Sequence, residues 1–253
     1  MPAFKSPSEY WYFAREVTRS TRYVRGSSAN DFLEALLADA QGRVEILPAR
    51  VILWRAQLGN GWEPVQEGGQ EVTETPGPFP PDRMRPLRDR AWEGRANPKG
   101  IPYLYLSTNR DTALAEVRPW LRSLVSVAQF RVRRELRIVN CTEDSKRKHF
   151  FGGTPIEYWD TAVWCDVDEA FSRPVTPTEE DPDYIPTQII AELFKVNGFD
   201  GVAYRSALGP GHNVVLFDID VAVLINCSLY QTETLQFGFR ECANPYWIRE
   251  EGT

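Results

Sequence analysis

Four polar side chains stand in apolar surroundings: Arg55 after Val51-Ile52-Leu53-Trp54, Tyr105 inside Tyr103–Ser107, Glu116 on a short helix, and Ser206 after Gly201-Val202-Ala203-Tyr204-Arg205. A guanidinium and a carboxylate so placed suit anion binding and charge stabilisation. Each residue also has an ordinary explanation. Arg55 reads as a strand-end salt bridge, Tyr105 as core, Glu116 as a helix charge on a solvated edge, and Ser206 as a turn residue bonding its own backbone. Several other chemistries are excluded by pattern. There is no G-x-x-x-x-G-K-S/T loop, neither Gly59-Asn60-Gly61 nor Gly209-Pro210-Gly211 continues as G-x-G-x-x-G, and Ser206 lacks the glycines of a nucleophile elbow. His149 and His212 are the only histidines, which rules against a histidine-rich metal site and leaves any Ser-His-Asp or Cys-His hydrolase dependent on one of them. Cys141, Cys165, Cys227 and Cys242 form no C-x-x-C pair and read as reduced and mostly buried.

The elements that must position these residues follow from caps and periodicity. Ser6-Pro7-Ser8-Glu9 reads as a capping box, so a helix is expected to run to about Val24. A second is expected from Asn30-Asp31 through Phe32, Leu33, Leu36 and Leu37, closing on a left-handed Gly42. From Val44 short β-branched runs take over, at 50–54, 103–107, 124–132, 136–141, 201–204, 214–217 and 221–225. Thr108-Asn109-Arg110-Asp111 caps a short helix that Pro119 ends near Arg118. On it Ala113, Leu114, Val117 and Leu121 form a stripe, with Glu116 about 60° off its edge and hence half-buried. A helix from Ile185 to Asn197 turns Ile189, Ile190, Leu193 and Phe194 inward and is capped by Gly198.

This pattern is α+β rather than regularly alternating βαβ. Residues 1–42 are expected to form an N-terminal helical extension and residues 43–253 the main domain. Within it, residues 63–100 read as a long irregular loop with an arginine cluster at 83, 85, 88, 90 and 95, as solvated surface or as the seat of an anionic ligand. Residues 82–99 hold six basic and three acidic residues, whereas residues 165–184 hold seven acids and Arg173 alone of the bases.

Composition sets the outer limits. With 42% apolar and 12% aromatic residues the chain can close a full core, which rules out disordered and fibrous classes. No apolar run approaches the ~18 residues of a membrane span, and the polar N-terminus is no signal peptide, so a cytoplasmic protein without a membrane partner is expected. Lys plus Arg total 29 against 35 acids, a net charge of −6, which argues against affinity built on a nucleic-acid backbone.

The order and setting of the polar residues resemble the RES-domain family, named for its arginine, glutamate and serine. Three motifs carry the resemblance. The first is Leu53-Trp54-Arg55-Ala56. The second runs from Gly94-Arg95-Ala96-Asn97-Pro98-Lys99-Gly100 into Tyr103–Ser107 and Thr112-Ala113-Leu114-Ala115-Glu116-Val117-Arg118-Pro119. The third is Asn197–Ser206, followed after a loop by His212-Asn213-Val214-Val215-Leu216-Phe217. Ala56 and Ala96 depart from the family, many of whose members have tyrosine and tryptophan at these positions, so aromatic packing on a ligand is expected to differ.

The resemblance implies a fold similar to the ADP-ribosyltransferase toxins: two small twisted, mostly antiparallel sheets with NAD in the cleft between them. It implies cleavage of the nicotinamide–ribose bond, with ADP-ribose passing to phosphate or water, by the toxin of a toxin–antitoxin or defence system. NAD is then a substrate, inorganic phosphate a co-substrate, and no metal is needed. Glu116 would stabilise the oxocarbenium-like transition state and hold the ribose 2′-hydroxyl. Arg55, with Arg95, would bind the diphosphate. Tyr105 would stack on nicotinamide while its hydroxyl orients the ribose, Asn97, Ser206 and Asn213 would complete the binding set, and Arg55 and Ser206 would also join Glu116 as catalytic residues. A proteinaceous antitoxin and a homodimer are family expectations. Two alternatives remain: transfer of ADP-ribose to a protein or nucleic acid, and a non-catalytic binding module.

Overall fold

Strands whose successive residues point into two different cores dominate the chain. The computed structural model describes residues 4–142, 153–173, 184–236, 238, 239 and 241. Its strands are β1 (Val44–Leu47), β2 (Ile52–Leu58), β3 (Gly61–Glu67), β4 (Gln70–Gly77), β5 (Leu104–Ser107), β6 (Leu124–Val132), β7 (Leu136–Asn140), β8 (Gly201–Arg205), β9 (His212–Leu216) and β10 (Ala222–Gln231). Eight of them make one sheet in the order β1-β7-β8-β9-β5-β2-β6-β10, and β3 and β4 pair only with each other. Every neighbouring pair is antiparallel except β7 and β8, which are parallel. A parallel pair needs a crossover, and the chain between β7 and β8 includes α4 (Trp159–Ser172) and α5 (Ile185–Val196).

Period-two alternation separates the faces. Tyr103, Val139, Cys141, Val202, Tyr204, Val215 and Phe217 face a core shared with α1 (Glu9–Arg19), α2 (Ser27–Ala40), α4 and α5. Leu104, Leu106, Leu136, Ile138, Val214 and Leu216 face a second core with Leu53, Met84, Phe130 and Val132. Because Phe13, Val17, Phe32 and Leu36 sit in the first core beside Trp164, Phe171 and Phe194, the two N-terminal helices pack into the main body.

The expected pair of small sheets is corrected to one eight-stranded sheet, and the physical reason lies at its middle. The β2–β5 pairing consists of one register pair, Trp54↔Ser107, whereas β2–β6 runs over seven residues from Ile52↔Arg131 to Leu58↔Val125. The sheet is continuous in topology yet has a seam between β2 and β5.

Other boundaries also move. α1 stops at Arg19, where the Ser20 and Thr21 N–H groups both donate to the Glu16 carbonyl, and Tyr23 and Val24 lie exposed beyond it. Its N-cap, Ser8, makes no side-chain cap bond; Glu9 instead accepts from the Lys5 N–H at 2.9 Å. α2 ends in a 3-10 turn over Gln41–Arg43, and Gly42 is not left-handed. Residues 63–100 are only partly irregular, since β3 and β4 occupy their first half; Pro64, Pro76 and four glutamates mask the strand signal there. α4 carried no cap signal and buries Val163, Trp164, Val167 and Phe171. Cys141 and Cys227 are free, Cys141 is buried, and Cys165 and Cys227 are half-buried; His149, Cys242 and part of the acidic stretch lie outside the described residues. No helix among the described residues is long and apolar enough to cross a membrane.

Candidate active site

Where β2 and β5 part, backbone groups lose ladder partners and side chains take their place. Arg55, in the middle of β2, donates from Nη1 to the Tyr105 carbonyl at 3.1 Å. Its Nε is buried without a partner, and burial pulls the guanidinium pKa down to about 10. A charge that remains at neutral pH with a donor unused is ready for an anionic ligand. Around it lies a cavity of about 320 Å³, lined among others by Trp54, Arg95, Tyr105, Glu116 and Asn213.

Glu116 reaches this cavity from α3 (Arg110–Glu116), whose N-cap, Asn109, accepts from the Thr112 N–H at 2.8 Å. Its carboxylate is fixed from two strands. The Ser206 hydroxyl, just past β8, and the Asn213 amide on β9 both donate to Oε1, each at 2.6 Å. Ser206 Oγ also accepts from the Leu208 and Gly209 N–H groups at 3.1 and 3.0 Å, and the Ser107 hydroxyl donates to Asn213 Oδ1 at 2.9 Å. Both donors are therefore oriented by further bonds. Among the described residues no hydrogen bond is made to the second carboxylate oxygen, Oε2.

Tyr105 is placed otherwise than the ribose-orienting role requires. Its hydroxyl donates to Asn97 Oδ1 at 2.7 Å and accepts from the Ala96 N–H at 2.9 Å, and burial pushes its pKa far up. Only its ring is available to a ligand. Asn97 is 2% exposed, and its amide donates to the Trp92, Pro98 and Ile101 carbonyls, so it closes the loop that carries Arg95 and does not line this cavity. That loop is tied to α5, where Thr187 Oγ1 donates to the Arg95 carbonyl and Gln188 to the Gly94 and Asn97 carbonyls.

Arg55, Arg95, Tyr105, Glu116 and Asn213 thus line one cavity, Ser206 abuts it through Glu116, and Asn97 lies behind the wall. Sequence reasoning missed Trp54, Tyr184 and Tyr204, which also line it. Tyr204, Asn213, Ser107 and Trp54 stand on one rung across β8, β9, β5 and β2, a register that no local pattern encodes. Burial pushes the Tyr204 hydroxyl up to about 12, with Arg95 opposing and Glu116 reinforcing the shift. These rings supply aromatic wall, while Ala56 lines the cavity and Ala96 is fully buried.

A family model described as RES domain matches residues 73–238. The match includes Arg95, Asn97, Tyr105, Glu116, Ser206 and Asn213 and begins after Arg55, which joins the site through the fold. Comparison with curated proteins gives no match. Among solved structures, a chain in the crystal structure of the M. tuberculosis MbcT-MbcA toxin-antitoxin complex is 14% identical, with 78% of this chain and 92% of that chain covered and a TM-score of 0.39.

Proposed function

The chain belongs to the RES-domain family, and from that premise we propose that it cleaves the nicotinamide–ribose bond of NAD and passes ADP-ribose to phosphate or water. The observation that carries this reading is the Glu116 carboxylate, held by Ser206 and Asn213 through one oxygen beside two arginines. Departure of nicotinamide leaves positive charge on the ribose, and a carboxylate fixed before reaction stabilises that charge without reorganising. Oε2 would take the ribose hydroxyl. Arg55 offers its buried, unpartnered Nε to the diphosphate, with Arg95 assisting. The rings of Tyr105 and Trp54 would pack on the nicotinamide. Inorganic phosphate as acceptor would compete with water for the same face of the cation.

In the cell this activity would make the protein a cytoplasmic toxin, restrained by a proteinaceous antitoxin that closes the cavity mouth. The test is to incubate the purified chain with NAD, with and without phosphate, and follow nicotinamide and the ADP-ribose product by NMR. Wild type is expected to release nicotinamide, and Glu116→Gln to slow release by about 10²–10³-fold while keeping the fold. Equal rates in the two proteins would remove Glu116 from the mechanism. Label passing instead to a protein or nucleic acid would make the enzyme a macromolecular transferase.

A further inference from the structure

Ser206 ties the end of β8 to Glu116, yet the sheet itself holds that end weakly. The β8–β9 pairing stops at Arg205↔His212, and beyond it the Ser206 N–H reaches the Gly211 carbonyl only at 3.3 Å. On the other edge β7 stops sooner. Its parallel pairing closes at Asn140↔Ala203, where the Cys141 N–H donates to the Ala203 carbonyl at 2.8 Å. The next donor along that edge is the Arg205 N–H, which meets no further residue of β7. A backbone donor withdrawn from water needs an acceptor, so another group must stand in for the strand.

Asp168 is that group. It lies on the crossover helix α4, among the acid-rich residues 165–184, and its side chain is completely buried. Oδ1 accepts from the Arg205 N–H at 3.1 Å and from the Ser172 hydroxyl at 3.2 Å, while Oδ2 accepts from Arg205 Nε. One carboxylate thus grips both the backbone and the side chain of a single residue. Three residues further along α4, the Phe171 ring stacks on Tyr204, with centroids 5.5 Å and planes 26° apart. Three consecutive residues are therefore held in turn: Tyr204, which lines the candidate cavity, by Phe171; Arg205 by Asp168; and Ser206 by its bond to Glu116 Oε1.

We propose that Asp168 is a positioning residue for the reaction, securing through Arg205 the root from which the Ser206 hydroxyl reaches Glu116. Its kinetic consequence rests on the NAD-cleaving reading; its structural consequence rests on the hydrogen bonds alone. Asparagine at this position fills the same space but breaks the grip. Whichever way the amide turns, its nitrogen meets one of the two Arg205 donors, and two donors facing each other repel.

The test is steady-state nicotinamide release by the full chain for wild type, Asp168→Asn, Ser206→Ala and the double variant, with backbone hydrogen exchange of the same proteins followed by NMR. Asp168→Asn is expected to lower kcat at least about tenfold, with KM for NAD within about threefold of wild type. Both changes disturb one contact, so the double variant should lie within about threefold of the slower single variant instead of at the product of the two effects. The Leu208 and Gly209 amides, which donate to Ser206 Oγ, should exchange at least about tenfold faster in Asp168→Asn while those of β6 keep their rates. Arg205→Ala, at a side chain 47% exposed, removes the grip from its other end and is expected to move kcat and exchange in the same directions. It carries the comparison if the change at the buried acid prevents folding. A kcat within about threefold of wild type, effects that multiply in the double variant, or unchanged exchange at Leu208 and Gly209 would each overturn the proposal. A wild type that releases no nicotinamide would overturn the catalytic reading instead, and the exchange rates would then decide the role of Asp168.

Discussion

Glu116 accepts both of its hydrogen bonds on one oxygen, and the two donors come from residues 90 and 97 positions away in sequence. Ser206 and Asn213 hold the carboxylate through Oε1, and in the proposed reaction Oε2 would meet the ribose. Arg55 serves differently, because its guanidinium both closes the seam through the Tyr105 carbonyl and keeps Nε unused. Lysine keeps the charge but lacks the planar fork. Arg55→Lys is therefore expected to raise KM for NAD by about tenfold with kcat changed by less than about threefold. Steady-state kinetics of nicotinamide release check this, and a fall in kcat with KM unchanged would move Arg55 from binding to the chemical step. Arg55 itself was legible as a polar interruption of an apolar run. Its orphaned Nε was not, since that depends on which atoms of β5 come within reach.

At the scale of elements, a helix as short as α3 is too short to stand in water alone. It is held by its Asn109 cap and by the loop from β8 to β9. Gly211 and Gly209 lie against its first turn: a Cβ on Gly211 would run into Asn109 Nδ2 and would meet Thr108 Oγ1 at 2.7 Å, and one on Gly209 would meet Thr112 Cα at 2.7 Å. The same loop begins at Ser206, so its seating on α3 sets the Ser206–Glu116 contact. Gly211→Ala is expected to lower kcat by at least about tenfold through displacement of that loop, with far-UV circular dichroism unchanged. Unaltered turnover would show that the loop has slack. The N-cap was legible because Asn109 lies directly before the apolar stripe. The close approach of Gly211 was not, since Gly209-Pro210-Gly211 reads equally as a solvent-exposed turn.

At the scale of the molecule, two cores on opposite faces of one sheet bury several tyrosines at the candidate site and its surroundings. Burial pushes up the hydroxyls of Tyr103, Tyr105 and Tyr204, the last to about 12. Their folded pKa values exceed the unfolded value near 10, so the unfolded chain releases these protons first. Their contribution to stability is whole below about pH 10 and declines as pH rises above it, that of Tyr204 through about 12. Of the 10 tyrosines, these three should ionise in a spectrophotometric titration only together with loss of the fold. Ionisation of all of them near pH 10 with the fold intact would contradict their burial. The N-terminal helices belong at this scale as well: Phe13 and Phe32, with ring centroids 4.7 Å apart, lie in the core with Trp164 and Phe194, so α1 and α2 help to build the body.

What the sequence determined alone is what local physics encodes. Apolar runs marked seven of the ten strands among the described residues, Asn109 and Gly198 marked the start of α3 and the end of α5, and the residues around Glu116 and Ser206 pointed to the RES family. Tertiary structure decided what depends on pairing between distant segments. The single Trp54↔Ser107 register pair opens the seam, the rung from Tyr204 to Trp54 lines the cavity, and Tyr105 gives its hydroxyl to Asn97. Strand register follows from the summed packing of both sheet faces, and a shift of one residue would turn every one of these side chains to the other side. No short stretch of the chain contains that information.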